Sequence, residues 1–306
     1  MTRPLLIIND HKKVEEVYNK SEEYFEIHSD LRSKIGTYLW AYNEIGNLIP
    51  QTVENFCSGH FFPCSESYYE LENSFELCKQ GFYRHSVFAL RCVLELGVMG
   101  LYFDKDDQAH IDVKNWIRSQ DPTPHFRTSL RRLFELEYFR RFNDIFSLQE
   151  EVESIYSLLS DYVHVRGYRY STTGQTRSNF NQFSESSLLR YIRIMKKVVK
   201  GIVTMMLLKY PIGMQNLPLW DKFGLNTPVG NFLDESARAA VLAILDEDVK
   251  EFLQNISNND PTVNEAVRGI LAMPDLTEEE LRKQSDQWDE IMGRHIRKQK
   301  TDGDGV

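Results

Sequence analysis

Cysteine is scarce in this chain: Cys57, Cys64, Cys78 and Cys92 are the only four in 306 residues. So few thiols exclude a disulfide framework, and a chain of this length has enough apolar surface to build a core without one. The N-terminus lacks the charged start, short apolar run and small-residue cleavage site of a secreted precursor, so a reducing, cytoplasmic setting is expected. The apolar runs at 5–8 and 202–208 fall far short of the roughly 20 residues that cross a bilayer, so a soluble protein with no membrane partner is expected. The chain also has no internal repeat, low-complexity tract, phosphate-binding loop, metalloprotease signature or Gly-x-Ser-x-Gly elbow. No cofactor is therefore expected, and no motif fixes a reaction.

Sustained alternation of period two is missing as well, which argues against a sheet. The apolar spacing is helical throughout and predicts an all-α helical bundle with a small C-terminal helical region. Helices are expected near 11–27, 31–47, 65–80, 82–103, 107–118, 125–144, 148–166 and 185–210, then 234–257, 261–272 and 277–295. Ser184 followed by Glu185 caps the eighth, and Pro211 stops it. The parse is an N-terminal helical region (1–62), a bundle (63–210), a connector (211–232) and a C-terminal helical region (233–306). A short extended start at 4–8, a connector pinned by Trp220 and Phe223, and a disordered tail from 301 to 306 complete it.

Charge is unevenly spread. The chain carries −9 overall, yet from His164 to Lys200 eight basic residues stand against one acid, Glu185. A basic segment in an acidic chain suits a local polyanion site, or else is simply a solvated face. On the helix at 185–210, Arg190, Arg193, Lys197 and Lys200 form one stripe able to follow a phosphate backbone. Tyr168, Tyr170 and Phe180 precede it and are candidates for stacking on unpaired bases, with Arg169 among them.

Two helices carry costly or suggestive polar groups. In RHSVFALRCVLELGVMGLYFD, Arg84 to Asp104, Arg84, Arg91 and Glu95 share a stripe with Phe88 on a helix apolar nearly all round, and Arg91 is expected to pair with Glu95 in a buried bridge. That pair either orients neighbouring helices or forms one wall of a site. In SDYVHVRGYRYSTTG, Ser160 to Gly174, Ser160, Asp161 and His164 share a face, but one helix cannot set Ser and Asp on opposite nitrogens of one ring, so a serine-hydrolase triad is rejected. His164 at a helix end beside Arg166 instead suits a phosphate: the imidazole takes a 2′-OH proton and the guanidinium holds the developing charge. CSGHFFPC presents Cys57, His60 and Cys64, three zinc-type ligands without an evident fourth, so buried free thiols are the default and no metal site is expected.

The stretch ELCKQGFYRHSVFALRCVLELGVMGLYF, Glu76 to Phe103, is similar to the opening helix pair of HEPN domains, and SLLSDYVHVRG, Ser157 to Gly167, resembles their last helix. The resemblance covers about 65–210. It implies a bundle that dimerises and often acts as a metal-independent endoribonuclease in bacterial toxin or antiphage systems. The family's Arg, four to six residues, His pattern is incomplete: His164 matches, but no Arg precedes it at that spacing. Arg166 or Arg91 must then substitute in space, with Asp161 and Glu95 in support, or the domain is a non-catalytic relative that binds RNA or a partner protein. A small-molecule enzyme with its site between the helices is the third reading.

Overall fold

The computed structural model describes residues 11–104, 109–176, 181–228 and 230–288. Among them the regular elements are all helical: α1 (His11–Ile27), α2 (Ser29–Ile45), α3 (Val53–Ser58), α4 (Phe62–Lys79), α5 (Tyr83–Tyr102), α6 (Ala109–Ile117), α7 (Phe126–Leu133), α8 (Glu137–Phe146), α9 (Leu148–Val163), α10 (Thr172–Thr176), α11 (Glu185–Lys209), α12 (Leu219–Phe223), α13 (Glu235–Ala243), α14 (Glu247–Asn259) and α15 (Pro261–Ala272). A further helical stretch follows at 278–288. The all-α bundle is what the spacing predicts; the segments 4–8 and 301–306 lie outside the described residues.

Helix ends follow local chemistry. The Ser184 side chain accepts a hydrogen bond from the Ser187 amide, and α11 ends at Lys209, with Tyr210 as its cap and then Pro211, which has no amide to donate. Two expected helices are each broken in two. A straight helix over 125–144 would point Leu133, Phe134, Phe139 and Phe142 in directions spread over more than half its circumference. The break at Glu135 and Leu136 re-aims the second half, so that all four are buried, with Phe134 and Phe139 edge to face at 5.5 Å. Between α13 and α14, Asp246 adopts extended backbone and ends the helical run, while its carboxylate bonds Lys200 of α11.

The central element is α5, packed against α4, α7, α9 and α11. It is long and apolar enough to cross a membrane, a property the run-by-run reading missed because Arg84, His85, Arg91 and Glu95 interrupt it. In the bundle most of it is buried. Close approach to α11 depends on Gly97: a Cβ there would lie 2.7 Å from the Ile202 side chain. Ser67 and Ser74, buried on α4, are matched across to α5 and α11, as burial requires. Ser67 of α4 donates to the Val93 carbonyl of α5 (2.8 Å), and Ser74 donates to the Ser86 carbonyl (2.8 Å) while lying 3.0 Å from the Tyr191 hydroxyl of α11.

The N-terminal and C-terminal stretches that the sequence sets apart share this core. Phe25, Ile35 and Tyr42 from α1 and α2, and Ala237, Val241, Leu253 and Ile256 from α13 and α14, belong to one buried cluster with α5 and α11. The connector is held by Leu217 and Leu219 packing with Ile270 of α15, with Phe223 alongside; Trp220, expected to pin it, is exposed.

Candidate functional site

The end of α9 is built as a closed turn. His164 caps the helix, Val165 takes a left-handed conformation (φ 49°), and the Arg166 amide reaches back to the Asp161 carbonyl at 2.9 Å. That is a Schellman turn with Val in the place normally held by Gly. A β-branched residue there is strained, and strain of this kind collects at functional turns.

Arg84, at the start of α5, completes the turn from the other side. Its Nε donates to the Tyr162 carbonyl and an Nη donates to the Val163 carbonyl, both at 3.1 Å. A guanidinium therefore sits on the peptide that precedes His164, where it also opposes the negative end of the α9 dipole. Helix α5 starts where α9 ends, and Ser184, the cap of α11, donates its amide to the Tyr83 hydroxyl at 2.8 Å. One end of the bundle thus gathers Arg84, His85, His164, Arg166 and the start of α11. His164 and His85 are exposed, and burial together with the neighbouring Arg84 holds the His85 imidazole below its usual range.

The other residues expected at this end divide. Arg166 turns back to the Asp161 carboxylate (3.6 Å), so Asp161 orients the arginine rather than the ring of His164. Tyr168 is 66% exposed and free to stack, but Tyr170 is buried edge-on against Tyr162 at 5.0 Å, so it cannot serve as a base platform. Arg169 lies over the Tyr170 ring, 4.6 Å from its centroid. Ser160 and Ser157 donate back to the Tyr156 and Glu153 carbonyls. Phe180 lies outside the described residues.

Arg91 does not reach His164. It bonds Glu95 (3.0 Å) and the Tyr156 hydroxyl (2.9 Å), and Tyr156 stands eight residues before His164, about 12 Å along α9. Nor is the pair buried as expected: the side chains are 21% and 35% exposed. The reason is a cleft of 610 Å³ between α4, α5, α7 and α9, which opens beside them. Glu66, Glu70, Cys92 and Ser129 line it, with Trp116 and His125 at its edge and Tyr156 stacked on Phe126 at 4.0 Å. Burial, then the charges of Glu70 and Glu95, push the Cys92 thiol up.

The basic stripe on α11 is partly neutralised. Lys197 lies 3.7 Å from Glu151, and Lys200 bonds Asp246; Arg190 and Arg193 remain exposed. Arg190 and Arg193 stand on the half of α11 nearer the His164 end. Further exposed arginines, Arg127, Arg131, Arg132 and Arg140, lie on α7 and α8, outside the segment singled out by local charge.

The Cys57, His60 and Cys64 group does not assemble as a metal centre. Among the described residues no three His, Cys, Asp or Glu side chains are placed to share an ion. Cys57 is exposed, and burial pushes the Cys64 thiol up to about 11. His60 is 1% exposed and turns to Asp104, Nε2 to Oδ1 3.3 Å. Burial pushes the Asp104 carboxyl up, but His60, Lys209 and the Tyr210 hydroxyl outweigh it and hold the carboxyl below its usual range.

Comparison of the chain with family models, curated proteins and solved structures finds no match. Arg84 and His85 are the site residues that sequence reasoning underweighted. Their signal was present: charge at the start of an otherwise apolar helix is costly unless something receives it.

Proposed function

We propose that the protein is an RNA-directed, HEPN-like helical domain whose working end is the α9 terminus. One observation carries the reading: Arg84 donates to the Tyr162 and Val163 carbonyls, so an arginine 80 positions away in sequence is held at the helix end that exposes His164. In a metal-independent cleavage His164 takes the proton from a ribose 2′-OH, the 2′-oxygen attacks the adjacent phosphorus to close the cyclic phosphate, and the P–O5′ bond breaks with the 5′-oxygen taking a proton from solvent water. Arg84, with one Nη not bonded to the α9 carbonyls, and Arg166 supply positive charge for the phosphorane. Tyr168, Arg169, Arg190 and Arg193 hold the strand nearby. A homodimer would bring two such ends together, and antiphage defence or toxin activity is the setting this chemistry fits.

The second reading, a non-catalytic binding or partner module, draws support from the engagement of Arg166 by Asp161 and of Lys197 and Lys200 by acids. Incubation with total RNA separates the two. The first expects cleavage that survives EDTA, leaves 2′,3′-cyclic phosphate ends and vanishes in His164→Ala at unchanged thermal midpoint. EDTA-sensitive cleavage, or cleavage equal in the variant, refutes His164 as the proton acceptor. RNA binding without cleavage leaves the second reading.

A further inference from the structure

We propose that the cleft between α4, α5, α7 and α9 binds an organic cation with an aromatic body, an arylalkylammonium in its simplest form. At 610 Å³ it has the size of a small-molecule site rather than of a packing gap. Its charge is one-sided. Glu66, Glu70 and Glu95 face it with a single guanidinium, Arg91, already bonded to Glu95 and Tyr156. Glu66 and Glu70 lie one turn apart on α4, half-buried, and among the described residues neither has an ion-pair partner. Two carboxylates so placed repel each other, and a ligand cation between them removes that repulsion.

The walls supply the second half of the recognition. Trp116, 5.9 Å from the ring of Phe62, closes one side; Tyr156 closes the other, its own ring already stacked on Phe126 and covered by the Arg91 guanidinium 4.9 Å from its centroid. An aromatic wall beside carboxylates, here that of Trp116, attracts a cation and buries its apolar body. An independent observation also points to a ligand: Ser129 lines the cleft, is 2% exposed, and its hydroxyl finds no hydrogen-bond partner among the described residues. Buried hydroxyls are rarely left unmatched, and a ligand N–H is the kind of group this oxygen lacks. Burial is the main reason the Cys92 thiol is raised, and the charges of Glu70 and Glu95 add to it. A phosphate would meet those charges unfavourably, so this site is separate from the RNA-directed end and does not depend on it.

Calorimetric titration of the full chain tests the proposal with three indole probes: tryptamine, its neutral isostere tryptophol, and the slightly larger anion indole-3-propionate. Tryptamine is expected to bind about tenfold or more tighter than tryptophol, and the anion not at all. The Glu66→Gln/Glu70→Gln double variant, with circular dichroism and thermal midpoint like the parent, should lower tryptamine to the level of tryptophol. Equal binding of amine and alcohol overturns the proposal, as does tightest binding of the anion, or no binding of tryptamine at millimolar concentration by ligand-observed NMR. Because the amine and alcohol are compared on the unaltered protein, the result stands even if the variant misfolds.

Discussion

Replacing Val165 by Gly should cost almost no stability, although it removes an apolar side chain and adds chain entropy. Val165 holds φ at 49°, and its place in the turn is fixed by the Arg166 to Asp161 bond and by Arg84 on the preceding carbonyls. A left-handed L-residue stores about 1–2 kcal/mol, because its Cβ crowds the following carbonyl. Glycine releases that strain but loses about 0.5–1 kcal/mol of extra chain entropy on folding. The Val165 side chain is 43% exposed, so a little over half of it is covered and its lost burial is worth about 1 kcal/mol. The three effects nearly cancel, leaving a net change of about zero. Urea unfolding should show a midpoint close to that of the parent at an unchanged slope. Val165→Ala keeps a Cβ, so it retains the strain while losing burial, and should be less stable than the Gly variant. A Gly variant no more stable than the Ala variant would mean that no strain is released, and would remove the argument that this turn is held under tension.

Arg84→Met keeps most of the apolar stem but leaves the Tyr162 and Val163 carbonyls without their donor; two charge-assisted bonds at a half-buried position make the loss about 2 kcal/mol by denaturation. Hydrogen exchange should quicken at the Asp161 to Arg166 amides before the rest of α9, and uniform exchange would argue against the cap. Asp104→Asn should flatten the acid limb of stability. The carboxyl is held below its usual range, so its charged form stabilises the fold above about pH 4, and the contribution is lost as pH falls through the ordinary and then the depressed value. Parent and variant should therefore differ at pH 7 and converge in acid; a constant difference across that range would show that burial, not charge, sets the effect.

The sequence carried the helical content, the cap at Ser184, the stop at Pro211 and the i,i+4 pairing of Arg91 with Glu95, each a matter of neighbours within a turn or two. It did not carry the break between α7 and α8. Helical period across 125–144 is locally acceptable, and only burial of Phe134 and Phe139 on the same core bends the chain there. Tyr170 shows the same limit in the site: an aromatic in a basic loop reads as a stacking platform, yet Tyr162 takes it inward.

What the sequence determined by itself, then, is an all-α chain, with a charged start to an apolar helix and a histidine at a helix end, because propensity, capping and amphipathic spacing are properties of adjacent residues. Tertiary structure alone decided which arginine is held at that helix end. Arg166, two residues away, is drawn to Asp161, Arg91 is held by Glu95 and Tyr156, and Arg84, 80 positions distant, is delivered by α5 running alongside α9 from the opposite end. The same packing opened the acidic cleft: Glu66, Glu70 and Ser129 come from helices with no local reason to face one another, and only the way α4 and α7 lean on α5 brings them to one space.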